Sequence, residues 1–155
     1  TRHVRFTVLQ ERCFDMENYT IDQLVIGQSA SMSKTISEHD VYSFAGITGD
    51  FNPAHVDEEY AKGTRFKGRI AHGMLSIGFV SAVIGMRLPG PGTIYLGQEM
   101  KFTKPVHFGD SITATVTVSE INREKNIVKL DTVCTNQNGE AVLTGKATIM
   151  PPKGN

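Results

Sequence analysis

The chain has 155 residues, 39% of them hydrophobic, and its 16 basic residues balance 16 acidic ones to a formal net charge of zero. This length and composition predict a single domain with one substantial core. A neutral balance without long runs of like charge argues against a nucleic-acid-binding protein. No uninterrupted apolar run reaches the ~18 residues that span a membrane, so we expect no membrane partner.

Residues 1–15 differ in character from the rest of the chain. They are rich in arginine, and Met16 after them is a plausible natural start. We interpret residues 1–15 as a leader or an engineered remnant, and residues 16–155 as the single folded domain. A trimmed organellar transit peptide is the alternative, because such peptides are rich in Arg and poor in acidic residues.

The two cysteines, Cys13 and Cys134, lie far apart and lack the spacing of metal ligands. Free thiols in a reducing compartment are therefore expected. This favours a cytoplasmic protein, or one of the mitochondrial matrix if residues 1–15 are a transit peptide.

A first strand is predicted from Ser29 to Ile36, and a short helix should follow it. Ser37, with Asp40 three positions later, has the pattern of a helix N-terminal cap. Helical spacing then relates four further residues, Val41, Phe44, Ala45 and Thr48. This helix should lead directly into the next segment, which carries polar side chains.

Residues 49–55, with the sequence GDFNPAH, place Asp50 and His55 five positions apart. Pro53 fixes its own φ and pushes Asn52 towards extended geometry. We therefore predict a stiffened loop, not a helix. Stiff loops are common carriers of catalytic groups.

A short helical turn is predicted at Asp57–Ala61, and three basic residues follow it: Arg65, Lys67 and Arg69. A solvated surface is the ordinary place for such charges. A longer helix should then begin near Gly73 and continue to Gly85. Because it is apolar nearly all round, we expect it to be buried. Its glycine start leaves backbone N–H groups and a partial positive charge that suit a developing oxyanion.

The second half of the chain predicts strands. The segment LPGPG at 88–92 ends the helix. Asn138-Gly139 predicts a hairpin turn before the last strand. The predicted strands are Thr93–Phe102, Ser111–Val118, Ile127–Thr135 and Ala141–Met150. One long helix with successive antiparallel strands predicts the α+β class.

The motif GDFNPAHVDEEYA, followed by GRIAHGMLSIGFVS and LPGPGTIYLGQEMKFTKPVHFGD, resembles the MaoC-like, R-specific enoyl-CoA hydratases of the hydratase 2 type. The resemblance covers roughly residues 19–151. It implies a hot-dog fold, in which an antiparallel sheet wraps around one long central helix, and usually a homodimer. It also implies a hydro-lyase that reversibly hydrates trans-2-enoyl-CoA of short to medium chain length to (R)-3-hydroxyacyl-CoA.

By this resemblance Asp50 and His55 are the catalytic acid–base pair, with their two roles undivided. The N–H of Gly73 binds the thioester carbonyl oxygen. From the residues alone, Asp50 could equally cap a turn, His55 could be a hydrogen-bonded loop histidine, and Gly73 could serve close packing.

Four further residues are carried over from the family. Ser81 and Ile84 match positions near the acyl pocket, although a serine in a buried helix commonly bonds to its own backbone. Asn52 and His72 are expected to support the loop. One or two of the basic residues between 65 and 69 could meet coenzyme A phosphates.

No cofactor is expected, because coenzyme A is part of the substrate. The remaining histidines lack ligand-like spacing, which argues against a metal site. Three alternatives remain open: a 3-hydroxyacyl-acyl-carrier-protein dehydratase, a thioesterase, and a non-catalytic acyl-thioester-binding module.

Overall fold

The computed structural model describes residues 18–154. The interpretation of residues 1–15, and of Cys13 among them, concerns residues outside this range. Cys134 is buried and forms no disulfide. Within residues 18–154, no helix combines the length and the apolar character that crossing a membrane requires.

Five antiparallel strands form one sheet in the order β1-β3-β4-β5-β2. In the residues described, β2 and β1 are its edges. All five predicted strands are confirmed, although β1 ends one residue before Ile36, β2 begins one residue after Thr93 and β3 continues beyond Val118. They are β1 Ser29–Thr35, β2 Ile94–Phe102, β3 Ser111–Asn122, β4 Ile127–Thr135 and β5 Ala141–Met150.

Along the central strands, buried side chains alternate with more exposed ones, and the buried side chains form part of the core. Every second residue of β4, and of β3 as far as Val118, is buried, as the two-residue period of a strand requires. The predicted turn at Asn138-Gly139 joins β4 to β5, with Gly139 at a φ of +75°. The buried residues of the two strands are Ile112, Ala114, Val116, Val118, Val128, Leu130, Thr132 and Cys134.

Within residues 18–154, four α-helices accompany the sheet: α1 Glu38–Thr48, α2 Pro53–Val56, α3 Glu58–Gly63 and α4 Gly73–Met86. The predicted cap of α1 is confirmed. Ser37 Oγ accepts the Asp40 N–H at 3.2 Å, and the Asp40 carboxylate accepts the Ser37 N–H at 2.9 Å. The helix ends at Gly49, whose φ of +79° is left-handed.

The prediction of a loop throughout residues 49–55 is wrong at its end. Pro53 opens the short helix α2, so His55 lies on a helical turn. Proline is favoured at the first helical position, because its preset φ fits the helix and its missing N–H has no partner to lose there. Asn52 caps this turn through its side chain.

Helix α4 lies against one face of the sheet and is only partly buried. Ser76, Val80, Val83 and Ile84 face the core. The opposite face remains exposed at Met74, Gly78 and Ser81, at spacings of four and three residues. The expectation of a wholly buried helix is therefore wrong for the single chain, because the sheet covers only one side of α4.

Asp40 gives a test of the α1 cap. Burial opposes ionisation of its carboxylate, but hydrogen bonds from Lys34 and Ser37 outweigh this and lower the pKa of Asp40 to about 2. An unfolded Asp has a pKa of ~3.9, so the stabilisation is present above about pH 4 and is lost as pH falls towards 2. Asp40→Asn should lower the free energy of unfolding by about 1 kcal/mol at pH 7.

Urea unfolding between neutral and acidic pH measures this effect, and the two proteins should converge in stability as pH falls. Asp22→Asn is the control, because Asp22 is 83% exposed and its contact with Arg123 is 3.8 Å long. A stability difference that stays constant with pH would contradict the assignment.

Candidate active site

The loop between α1 and α2 holds Asp50 through consecutive side-chain to backbone bonds. Asp50 Oδ1 accepts the N–H of Asn52 at 3.2 Å, and Asn52 Oδ1 accepts the N–H of Ala54 at 3.0 Å. The Asp50 side chain is 53% exposed. Asn52 therefore takes part in both bonds, through its N–H and through its Oδ1, and the Asp50 carboxylate remains accessible.

His55 is held by one backbone carbonyl. Its Nδ1 lies 2.7 Å from the Ile70 carbonyl oxygen, and the Ile70 N–H in turn bonds to the Ala54 oxygen at 3.1 Å. A carbonyl oxygen can only accept, so Nδ1 carries the proton. In the neutral ring, the lone pair is then on Nε2, which makes that atom available as a base.

His72 joins the same loop to the start of α4. It is 3% exposed, and its Nε2 donates to the Asp50 carbonyl oxygen at 2.8 Å. Its ring lies 3.8 Å from the His55 ring and 4.9 Å from Phe44, measured between centroids. Its Nδ1 is buried without a hydrogen-bond partner. This geometry suits a support for the loop better than a proton carrier exposed to water.

The acid–base groups converge. One nitrogen each of His55 and His72 and one carboxylate oxygen of Asp50 all lie within 4.8 Å of one another. A water molecule forms hydrogen bonds of roughly 2.8 Å, so a single water can bridge Asp50 and His55.

The same three side chains are also the kind of cluster that could hold a metal ion. However, the Nε2 of His72 is committed as a donor to Asp50, and its Nδ1 is buried. Only Asp50 and the Nε2 of His55 then remain as accessible ligands, fewer than the three protein ligands of a typical catalytic zinc site. The arrangement fits an acid–base pair better than a metal centre.

A cavity of about 320 Å³ joins His55 to the N-terminus of α4. Gly73 is the first residue of that helix, where N–H groups have no intrahelical acceptor. A Cβ at Gly73 would lie 2.7 Å from the Phe102 ring, so any side chain there would require the ring to move. The apolar lining includes Phe66, Ile70, Ala71, Met74, Phe102 and Val106.

Comparison with known proteins decides the family. The family model described as the MaoC like domain matches residues 23–139. This chain belongs to the MaoC-like family. The MaoC-like chain is also 55% identical to an (R)-specific enoyl-CoA hydratase from Rhodospirillum rubrum over 138 residues, which are 89% of this chain and 95% of the relative.

A solved structure and a second relative extend this comparison. The unliganded R-hydratase PhaJ1 from Pseudomonas aeruginosa superposes with a TM-score of 0.84 at 47% identity, covering 88% of each chain. The predicted hot-dog fold is thereby confirmed. A mitochondrial 3-hydroxyacyl-[acyl-carrier-protein] dehydratase from Solanum lycopersicum is 35% identical over 141 residues, which are 90% of this chain and 84% of the relative.

Ser81 and Ile84 do not line the cavity of the MaoC-like chain described above. Ser81 is exposed on α4, about 12 Å along the helix from Gly73 at 1.5 Å per residue. Ile84 is 2% exposed in the core. Their roles near the acyl chain therefore stay predictions.

Two of the three basic residues at 65–69 of the MaoC-like chain, Arg65 and Arg69, have different surroundings. Arg65 lines the cavity, together with Lys104 from the segment after β2. Arg69 instead binds Glu38 and Glu58, and its side chain is only 20% exposed. The sequence-based expectation of a solvated surface is therefore wrong for Arg69.

Two contributors to this site carried no signal in the sequence. The Ile70 carbonyl is a backbone group, and Phe102 reaches Gly73 from a strand far along the chain.

Burial of Cys134 raises the pKa of its thiol to about 12, so this cysteine is not a nucleophile at neutral pH.

The hydrogen bonds predict opposite proton positions on the two neighbouring imidazoles. His55 should carry its proton on Nδ1 and His72 on Nε2. Nitrogen-15 NMR of the ring atoms at about pH 8, where an ordinary imidazole is neutral, distinguishes the two forms. Spectra of variants that each lack one histidine assign the signals. An Nε2–H form of His55 would refute the assigned role of the Ile70 carbonyl.

Proposed function

We propose that this chain catalyses the reversible, R-specific hydration of trans-2-enoyl-CoA to (R)-3-hydroxyacyl-CoA. The proposal rests on one cavity, whose wall includes His55 and the N-terminus of α4. Asp50 lies within reach of a water shared with His55. The (R)-specific enoyl-CoA hydratase at 55% identity supports the same activity.

In the hydration direction, the Asp50 and His55 pair holds a water and takes one of its protons as the oxygen attacks the β carbon. The new C–O bond forms while the C=C electron pair moves towards the thioester carbonyl. The pair then returns a proton to the α carbon on the same face. Because both groups would contact the same water, we assign both proton steps to the pair.

The N–H of Gly73 stabilises the negative charge that develops on the carbonyl oxygen. Preorganised backbone donors at a helix N-terminus are effective there, because they need no reorganisation as the charge forms. His55 and the oxyanion donor Gly73 thus line one cavity from different elements.

The proposed chemistry uses no cofactor, since coenzyme A arrives as part of the substrate. A cavity of about 320 Å³ suits a short to medium acyl group. Arg65 adds positive charge to the cavity wall, which favours an anionic carrier, and Lys104 there is paired with Glu140.

The carrier distinguishes the main alternative, dehydration of a 3-hydroxyacyl group on acyl-carrier protein. The reaction is chemically the same, and the tomato relative supports it at the lower identity of 35%. Turnover of crotonyl-CoA and of crotonyl-acyl-carrier protein, measured side by side, separates the two. Clearly higher kcat/KM with the protein carrier would favour the alternative.

The decisive experiment follows the enoyl absorbance of crotonyl-CoA in the presence of the protein. Hydration removes the conjugated double bond, and chiral analysis should find the R product. Free thiol release would indicate a thioesterase. Binding without loss of absorbance would indicate a non-catalytic module, and mainly S product would refute the stereochemical assignment.

Asp50→Asn should reduce kcat by roughly 10²–10⁴-fold with KM nearly unchanged, because the amide cannot accept a proton from water. His55→Gln should behave similarly, and the double variant should be little worse than either. Steady-state kinetics with crotonyl-CoA measures both effects.

Asp57→Asn is the matched control, because Asp57 is a neighbouring carboxylate that only caps α3. It should keep kcat within about twofold, since asparagine caps helices as well as aspartate does. If Asp50→Asn retained activity but melted at a clearly lower temperature, Asp50 would be a turn cap only.

We further propose that the chain forms a homodimer. The outer edge of β2 is unpaired within residues 18–154 and exposes Ile94, Leu96 and Phe102. The exposed face of α4 adds Met74, Gly78 and Ser81. An exposed apolar edge strand is a template for pairing with a second copy, and a two-fold axis satisfies both copies at once.

Gly78→Leu tests this surface. In the single chain, no atom lies within 4 Å of a Cβ at Gly78, so a leucine fits the monomer but should obstruct a second helix. Sedimentation should show a wild-type dimer at micromolar concentration and a weakened one for the variant. Gly46→Leu, exposed with equally open space on α1, is the control. A monomeric wild type would refute the proposal.

A further inference from the structure

Arg69 lies beside the atom that orients His55. It directly precedes Ile70, whose carbonyl accepts the His55 Nδ1–H. Its guanidinium Nε donates to Glu58 Oε2 at 2.9 Å. Its Nη1 donates to Glu38 Oε1, and also to the Tyr42 hydroxyl, which lies 3.0 Å away. One side chain therefore binds acceptors on α1 and on α3.

The network extends to the helix that carries His55. The Tyr42 hydroxyl, which accepts from Arg69, donates to the Val56 carbonyl at 2.9 Å. The guanidinium also lies 4.6 Å from the centroid of the Phe108 ring, in the connection before β3. The backbone around His55 is thus tied to Arg69 on both sides, through Tyr42 and through Ile70.

Stability alone does not account for this arrangement. Glu38 and Glu58 are 57% and 43% exposed, and ion pairs with exposed carboxylates contribute little free energy. What the arginine supplies is geometry, because its planar group offers several donors in fixed directions. A lysine has one compact charge and cannot reproduce this fork.

We propose that Arg69 is a positioning residue that fixes the Ile70 carbonyl and thereby holds His55 in its Nδ1–H form, with Nε2 directed to the substrate. The inference rests on the proposed role of His55 in hydration. It assigns Arg69 to the orientation of the base, not to contact with the coenzyme A phosphates.

The test compares Arg69→Met, Arg69→Lys and Lys62→Met. Arg69→Met should lower kcat for crotonyl-CoA by roughly 10–100-fold with KM changed by less than about threefold, because small displacements of a catalytic group are costly. Nitrogen-15 NMR should show the His55 proton distributed over both ring nitrogens. Arg69→Lys should recover part of kcat.

Lys62→Met is the matched control. Lys62 is a basic residue of α3 that is paired with Glu59 on the surface. Its hydrogen bond goes to Glu59, and not to Tyr42 or to either carboxylate that Arg69 binds. This variant should keep kcat within about twofold and the wild-type NMR signature.

The proposal is wrong if Arg69→Met keeps kcat within about threefold, or if its His55 signals match the wild type despite lost activity. If Arg69→Met does not fold, Tyr42→Phe and Glu58→Gln replace it, and each should lower kcat and shift the His55 signals in the same direction. Unchanged values in both would overturn the proposal. The NMR readout needs no turnover, so an inactive wild type would refute the proposed hydration without affecting this test.

Discussion

The hydrogen bond from His55 to the Ile70 carbonyl is the constraint on which the site depends. It determines which ring nitrogen keeps a proton and which keeps a lone pair, and it ties α2 to the chain entering α4. A backbone acceptor is well suited to this task because it cannot titrate. The proposed base is therefore oriented by the fold itself, before any substrate binds.

The second histidine completes this arrangement from the other direction. His72 faces the His55 ring while its Nε2 holds the backbone of Asp50. His72 thus holds the backbone of Asp50, while the Ile70 carbonyl holds the ring of His55. Both ends of residues 50–55 are fixed in this way. Since His72 is also the residue before α4, the position of the helix N-terminus is coupled to the position of the carboxylate.

Local rules predicted most of the elements. The Ser37 and Asp40 cap, the alternating strands and the hairpin at Asn138-Gly139 each follow from interactions between near neighbours in sequence. The sequence predicts a loop at Pro53 where the structure has the start of α2, because a proline can either stiffen a loop or open a helix. The family motif placed Asp50, His55 and Gly73 in one region, and the structure brings His55 and Gly73 to a single cavity.

Other features lie beyond sequence patterns. The sequence of a helix that packs on its own sheet has the same apolar character as that of a helix covered by another molecule. The exposure of Gly78 and Ser81 therefore could not be predicted. Arg69 acts through residues 38 and 58 and through a carbonyl that any residue could supply. No spacing rule relates these groups, because only the tertiary fold brings them together.

The contact between Phe102 and Gly73 links the rim of the sheet to the cavity. Phe102 belongs to the edge strand β2, and its ring lies against the backbone at the start of α4. In the proposed homodimer, a second copy bound along β2 would also contact the Phe102 ring beside the start of α4. One side chain would then belong to both the subunit interface and the cavity, and we expect specific activity to depend on protein concentration.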